Sequence, residues 1–336
     1  MLESSPSIDR QSSAALASVS DLDLEHPVGQ FAKQIIQLQF QRILQHETGV
    51  LEDRDPEQLH QMRVAFRRLR TALEIFQGVV RFPKGASIAN IRTLSKSLGT
   101  LRDLDVQLEA LQTDYVNAMA QPHSQTLQHL QRQLEKKRRK AFKRVKKLLK
   151  SQLYRKFCQG CAIWLEDPVY TSLGQVPLAQ ILPELLLPLV AQFVIHPAWQ
   201  LAKAEINPET SPRVHDLRKR CKHVRYQSEF FVDCYGKAFK KWIKTLKTLQ
   251  DHLGQLQDSY VFLAMVQDRG TPASDPTAME DLAAEQRLRA LSDWEDQRQN
   301  YLDRSFRRQL YEMILAPKGT RPDLASGEEN IPAPAP

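Results

Sequence analysis

The stretch HQMRVAFRRLRTALEIF, residues 60–76, decides the fold. At 3.6 residues per turn it divides into two faces. His60, Arg63, Arg67, Arg70 and Glu74 fall on one, and Met62, Phe66, Leu69, Leu73 and Phe76 on the other. This is an amphipathic helix with cations stacked a turn apart along its outer side. The design returns in HDLRKRCKHVRYQSEFF, residues 215–231, with His215, Arg218, Lys222, Arg225 and Glu229 opposite Leu217, Cys221, Val224 and Phe231. A second pair of blocks, IRTLSKSLGTLRDLDV (91–106) and LKTLQDHLGQLQDSYV (246–261), repeats at the same offset: 155 positions for 246 against 91, as for 215 against 60. Two blocks at one offset, with no net gap between them, mark an internal duplication.

Working outward, Phe31, Ile35, Ile36, Leu38, Phe40, Ile43 and Leu44 mark a first amphipathic helix. Asp55-Pro56-Glu57 starts the motif helix with a cap, a proline in the first turn and an acid near the positive helix end. Gly78 stops it. A third helix is expected after Pro83 to about Ala120, and a fourth, very basic one from Pro122 to about Trp164. In the second unit Pro208-Glu209 reads as the start of the motif helix. A further helix covers Lys237 to Gln267, and a last one Thr277 to Leu315. Each unit thus reads as about four helices, enough to close a bundle. The fold class is all-α, with halves at 27–166 and 176–316 joined near Asp167–Val176. Residues 1–26 and 317–336, rich in Ser, Ala, Pro and acids without a period, are expected to be disordered.

Composition agrees. A chain of 336 residues suffices for two core-forming units, and only 12 glycines among many Leu, Gln, Ala, Lys and Arg favour helix over strand. Four cysteines are too few for a disulfide framework, and a reducing, cytoplasmic compartment follows. The N-terminus shows no basic region leading into an apolar one, so no signal peptide is expected. The apolar run Ile181–Trp199 carries Glu184, Gln192, His196 and three prolines, and reads as a buried core helix rather than a membrane span.

The net charge of +8 favours an acidic partner without choosing among nucleic acid, polyphosphate and an anionic membrane. Placement says more. A merely solvated face mixes Glu with Lys at i,i+4, because like charges there repel by a few tenths of a kcal/mol. Here Arg63–Arg67 and Arg218–Lys222 stack like charges in both copies, which points to a ligand that neutralises them. Glu74 and Glu229, one turn on, are placed to orient Arg70 and Arg225. From Arg132 to Lys156 the only acid is Glu135, with Arg132, Lys136, Arg139, Lys143, Lys147 and Lys150 along one stripe. His60 and His215 could serve as caps, core groups or anion donors, and neither has a partner at metal-ligand spacing on its helix. Asp103 and Asp105 suit ion pairing or capping better than a divalent ion, since Tyr260 replaces the second of them in the other copy. Cys158-Gln-Gly-Cys161 is a weak redox or zinc signal, with no preceding strand and no second pair. No P-loop, Gly-rich dinucleotide fingerprint, G-x-S-x-G or H-E-x-x-H occurs.

HQMRVAFRRLR at 60–70 resembles the signature of the CHAD family, the conserved-histidine α-helical domains. Leu98-Gly99, Arg102-Asp103 and Asp105-Val106, together with the 215–231 block, are similar to that family's other segments, and the resemblance runs from about Val28 to Ala316. It implies two four-helix bundles related by pseudo-two-fold symmetry, with basic faces lining a shared central groove. It also implies binding of inorganic polyphosphate, no catalysis by the domain itself, and a cytoplasmic location that includes polyphosphate granules. The triphosphate-tunnel motif Glu-x-Glu-x-Lys often fused to such domains does not occur in this sequence. The second copy departs from the signature with Lys222 and His223 for Arg67 and Arg68, and Asp251 stands for Lys96, so a weaker grip is expected there.

The expected polyphosphate-binding residues are His60, Arg63, Arg67, Arg70, Arg92 and Lys96, then Arg139, Lys143 and Lys147, then His215, Arg218, Lys222, Arg225 and Lys247. No catalytic residue, metal ligand, cofactor or membrane partner is expected. Non-specific nucleic-acid binding is the alternative; against it, Phe66, Phe76, Phe230 and Phe231 sit on or beside apolar faces, away from bases. A phosphohydrolase or polyphosphate kinase would need clustered carboxylates, or a nucleophilic His beside a nucleotide site.

Overall fold

The helices follow from their caps and apolar stripes. The computed structural model describes residues 24–111, 124–267 and 276–318. The first helix, α1 (Val28–Glu52), buries Val28, Phe31, Ile35, Ile36 and Ile43 on one side. It ends at Asp53, whose φ of 55° is left-handed and whose N–H donates back to the Gly49 carbonyl. Two residues later Asp55 caps α2 (Pro56–Ile75), accepting the Glu57 N–H at 2.8 Å, with Pro56 in the first turn as the sequence predicts. Ser87 caps α3 (Ile88–Ala110). The continuation of this helix towards Ala120 lies outside the described residues, as do the terminal segments apart from 24–26 and 317–318.

Three expectations are corrected. The basic helix is not continuous to Trp164: α4 (Ser124–Leu149) ends at a turn, and the Ser151 hydroxyl accepts the Tyr154 N–H to start α5 (Gln152–Glu166). After α6 (Leu178–Val194), the second motif helix α7 spans Ser211–Ser228 with Pro212 in its first turn, not Pro208. Asn207 and Thr210 instead bond to each other's backbone and hold 207–210 as a turn. Following α8 (Lys237–Gln267), the expected last helix is three: α9 (Pro276–Ala290), α10 (Trp294–Leu302) and α11 (Arg304–Leu315). Asp303 separates the last two by capping the Phe306 N–H at 2.6 Å. At Ser151, Asn207 and Asp303 a short polar side chain captures a backbone N–H that a continuous helix would have used, whereas the break between α9 and α10 is closed by backbone bonds alone.

Among the described residues no strand forms. Two isolated bridges, Pro27 to Pro177 and Val80 to Tyr170, tie the first half to the connecting segment and to the start of the second half. At one of them the Val28 N–H donates to the Val176 carbonyl and the Leu178 N–H to the His26 carbonyl, so α1 and α6 start side by side. The stretch Leu178–Gln200, which is α6 with the short helical turn after it, is the one span among the described residues long and apolar enough to cross a membrane. Leu182, Leu186, Val190 and Phe193 face inward along it and join the common core. That core is continuous across the halves: Phe31 stacks on Phe231 with centroids 5.4 Å apart, and Phe76 meets both edge-on. A second, smaller apolar cluster joins Leu111, Leu130 and Leu134 to Ala283 of α9. The halves therefore touch at two separate apolar contacts.

Arg138 is the cation of the α4 run that stays at home. Its guanidinium grips Asp53 at 2.7 and 2.9 Å and Asp105 at 2.6 Å, tying α4 to the α1–α2 corner and to α3. These hydrogen bonds raise its pKa, while burial raises that of Asp105. Arg138→Ala leaves two carboxylates facing each other, and we expect a loss of ~2–3 kcal/mol in urea unfolding with polyanion affinity nearly unchanged.

Candidate functional site

Helices α2 and α7 pack against each other, and this contact brings the two cation ladders together. Tyr226 of α7 is the hinge of the meeting. The Arg67 guanidinium of α2 lies 4.1 Å from its ring centroid and that of Arg225 lies 4.6 Å away, so the ring sits against cations from both halves. Thr71 holds the equivalent place in the first copy and makes no such stack; its hydroxyl donates to the Arg67 carbonyl. Sequence reasoning missed Tyr226, because its partner Arg67 is 159 positions away, 226 against 67.

A reciprocal exchange lies beside it. Arg68 donates to Glu229 across the junction at 2.7 Å, both side chains nearly buried, while His223 approaches Glu74 at 3.8 Å. Positions 68 and 223, like 74 and 229, are equivalents under the 155-residue offset, so each motif helix reaches the other's glutamate. The expected orienting role of the glutamates is present: Arg70 lies 3.6 Å from Glu74 and Arg225 3.4 Å from Glu229. Glu74 also receives Arg92 at 3.0 Å. In the sequence Arg68 marks only a divergence between the copies, yet in the structure it is a cation that binds the halves to each other.

The glycines of the second motif serve the same ladders. A side chain on Gly254 would meet the Arg218 guanidinium at 3.3 Å, and one on Gly99 would meet Arg63 Nε at 3.7 Å. The bare backbones of α8 and α3 thus let each arginine lie flat across them. Arg63 extends to Asp103, 3.6 Å away.

Crowding sets the electrostatics. Burial, then Arg218, Arg67 and Arg63, pull the Lys222 amine down to about 8, against the opposing pull of Asp258. Arg67 is lowered to about 10, by burial first and by Arg63, Arg68 and Arg225, with Tyr226 opposing. Burial also lowers both motif histidines. Arg102, Arg67 and Arg63 add to this at His60, against Glu57; Lys219, Arg218 and Lys222 add to it at His215, against a hydrogen bond that the ring donates to Gln257. Each histidine is thus surrounded by groups of its own half; the halves converge one to two turns further along, at Arg63, Arg67, Lys222 and Arg225. Against burial, Glu229, then Tyr226 and last Asp251 raise the pKa of Arg225; Asp251 is the acid that the second half carries where the first has exposed Lys96. The Nε atoms of Arg67, Arg70, Arg218 and Arg225 and the Nδ1 of His215 are buried without a hydrogen-bond partner in the protein.

Of the remaining candidates, Arg139, Lys143 and Lys147 are exposed on α4. Lys96 and Lys247 are exposed on α3 and α8. Among the described residues no three His, Cys, Asp or Glu side chains gather as a metal site. Asp103 and Asp105 face Arg63 and Arg138, the ion pairing anticipated for them. Burial pushes the Cys158 thiol up to about 11 and raises that of Cys161, which suits packing and not nucleophilic chemistry.

An all-helical protein with a duplicated, cation-bearing helix pair at the junction of its halves is the class that this fold and site define. Residues 34–267 match the CHAD domain, and the chain belongs to that family. It is similar in fold to the crystal structure of the CHAD domain from the plant Ricinus communis, at 23% identity and a TM-score of 0.61, covering 88% of this chain and 96% of that one. It is similar also to PptA from Streptomyces chartreusis, at 19% identity and a TM-score of 0.59, covering 81% and 99%. No curated protein matches the sequence.

Proposed function

We propose that this chain binds inorganic polyphosphate as a recruiting or organising module, without catalysis of its own, in the cytoplasm and at polyphosphate granules. The observation that carries the reading is the convergence of half-buried cations from α2 and α7 on one junction, where Arg67 and Arg225 lie against the same Tyr226 ring. A flexible chain of tetrahedral anions meets guanidinium groups at several angles, and Arg is suited to bidentate phosphate contact. Nucleic acid is the second reading. It is disfavoured because Phe66, Phe76, Phe230 and Phe231 are buried and Tyr226 is covered by guanidinium groups, which leaves little to stack on bases.

Competition at near-physiological salt tests the choice. Long-chain polyphosphate should displace single- and double-stranded DNA, with affinity falling steeply as salt rises through counterion release. Tighter binding to RNA, with polyphosphate a poor competitor, would reverse the ligand assignment. Phosphate release from polyphosphate by the purified protein, supplied with divalent metal, would end the non-enzymatic reading.

Affinity should also depend on pH. An amine that titrates near 8 in the free protein and is drawn up by a bound polyanion takes up a proton on binding. Binding therefore weakens as pH rises through about 8, and we expect ~10-fold weaker binding at pH 9 than at pH 7. Calorimetry in buffers of different ionisation enthalpy measures the proton uptake, and Lys222→Arg should flatten the profile.

A further inference from the structure

The three arginines of the first ladder are not fastened by the same kind of group. Arg63 extends to Asp103 at 3.6 Å and Arg70 to Glu74 at 3.6 Å. Arg67, between them, is half-buried, and among the described residues it has no carboxylate within ion-pairing distance. Its guanidinium meets the Tyr226 ring instead, 4.1 Å from the centroid, and the same ring carries Arg225 at 4.6 Å. Tyr226 is 5% exposed, so the contact is shielded from water, where an aromatic face holds a cation best.

A carboxylate and an aromatic face hold a guanidinium with different consequences. The carboxylate brings a full negative charge, which offsets the cation for any second anion. The ring brings only a quadrupole, so it attracts the cation and leaves its net charge intact. A phosphate reaching Arg67 therefore has no carboxylate to displace. The ring also keeps two like charges from separate helices close together, an arrangement that repels unless something attracts both. Thr71, at the equivalent place in the first copy, turns its hydroxyl to the Arg67 carbonyl, so the ring is supplied by one half for a cation of the other.

We propose that Tyr226 is a positioning residue for the polyanion: its ring stands where a counter-carboxylate would, and holds the Arg67 guanidinium beside Arg225 with the charge of Arg67 uncompensated. The inference rests on the anion-binding reading above and deepens it by naming what keeps a cation of the junction both fixed and available. Tyr226 acts through Arg67 and Arg225, and its own contact with the anion is not required.

Calorimetry with tripolyphosphate on the full chain tests this through the electronics of the ring. Tyr226→Phe keeps the aromatic face, and its affinity should stay within ~2-fold of the unmodified chain. Pentafluorophenylalanine incorporated at position 226 fills nearly the same space with the quadrupole reversed, and Tyr226→Leu removes the ring. Both should weaken binding by ~10-fold with helicity retained. A ring that served packing alone would give the fluorinated chain the affinity of Tyr226→Phe. In an Arg67→Gln background Tyr226→Leu should lose most of its effect, because the two residues act as one unit. The proposal is overturned if the fluorinated and Phe chains bind alike, or if Tyr226→Leu costs the same factor with and without Arg67. In either of those cases tripolyphosphate binding itself, and with it the polyphosphate reading, stands. If tripolyphosphate fails to bind the unmodified chain while duplex DNA binds with this same dependence on the ring and on Arg67, the polyphosphate reading falls and the positioning role stands.

Discussion

Changing Arg63, Arg67, Arg218 and Lys222 together to glutamine should weaken long-chain polyphosphate binding by at least ~10³-fold at near-physiological salt, with the far-ultraviolet dichroism of the folded protein retained. A charge-assisted hydrogen bond contributes on the order of 1.5–3 kcal/mol. Four such donors lost from one site, even at a net ~1 kcal/mol each, reach that factor. Glutamine keeps polar side chains of useful length against the bare backbones of Gly99 and Gly254, where Arg63 and Arg218 now lie. Arg225 is left out deliberately. Its guanidinium stands 3.4 Å from Glu229, so a neutral glutamine there would strip a counter-charge from the carboxylate that also holds Arg68 and disturb the junction as well as the site. Changing Arg139, Lys143 and Lys147 to glutamine should instead lower the salt dependence while costing less than ~10-fold in affinity, as expected of exposed cations on a separate helix face. Equal losses from both sets, read by titration calorimetry, would move the principal site to α4.

Arg68→Ala should have the largest single effect on stability, ~3–4 kcal/mol in denaturant unfolding. The pair it makes with Glu229 at 2.7 Å is nearly shielded from water, with side chains 8% and 15% exposed. Removing one partner of such a pair strands the other charge, which costs far more than the pair contributes relative to an apolar substitute. Arg68→Met should accordingly be milder when combined with Glu229→Gln. The equivalent exchange in the other direction, His223 to Glu74 at 3.8 Å, is more open, and His223→Ala should shift the unfolding midpoint little. If the two single variants proved equally destabilising, the junction would not be held by Arg68.

The duplication was legible because it lies in side-chain identities at fixed spacing. His, Arg and Glu recur at offset 155 whether or not the chain is folded, and a 3.6-residue period assigns them a face before any packing is known. The buried stripes of α1, α2 and α6 follow from the same period. Helix ends were less legible. Ser151 and Asp303 could have stood inside a helix by propensity, and became caps because α5 and α11 had to turn to keep Phe157 and Ile314 in the core. The roles of Arg68 and Arg138 escaped sequence reasoning for another reason. Each looks like one more cation in a basic run, and only a carboxylate brought from far along the chain distinguishes it.

By itself the sequence determined that this protein is helical, duplicated, cation-faced and similar to CHAD domains, since these properties rest on period, composition and local spacing. Only the tertiary structure decided which cations meet. Packing α2 on α7 brought the two ladders to one junction and gave Arg68 to Glu229, while packing α4 on α3 gave Arg138 to Asp53 and Asp105 and left Arg139, Lys143 and Lys147 exposed. The physical reason is that charge–charge energies depend on distance and burial, and neither is encoded in the spacing of residues on separate helices.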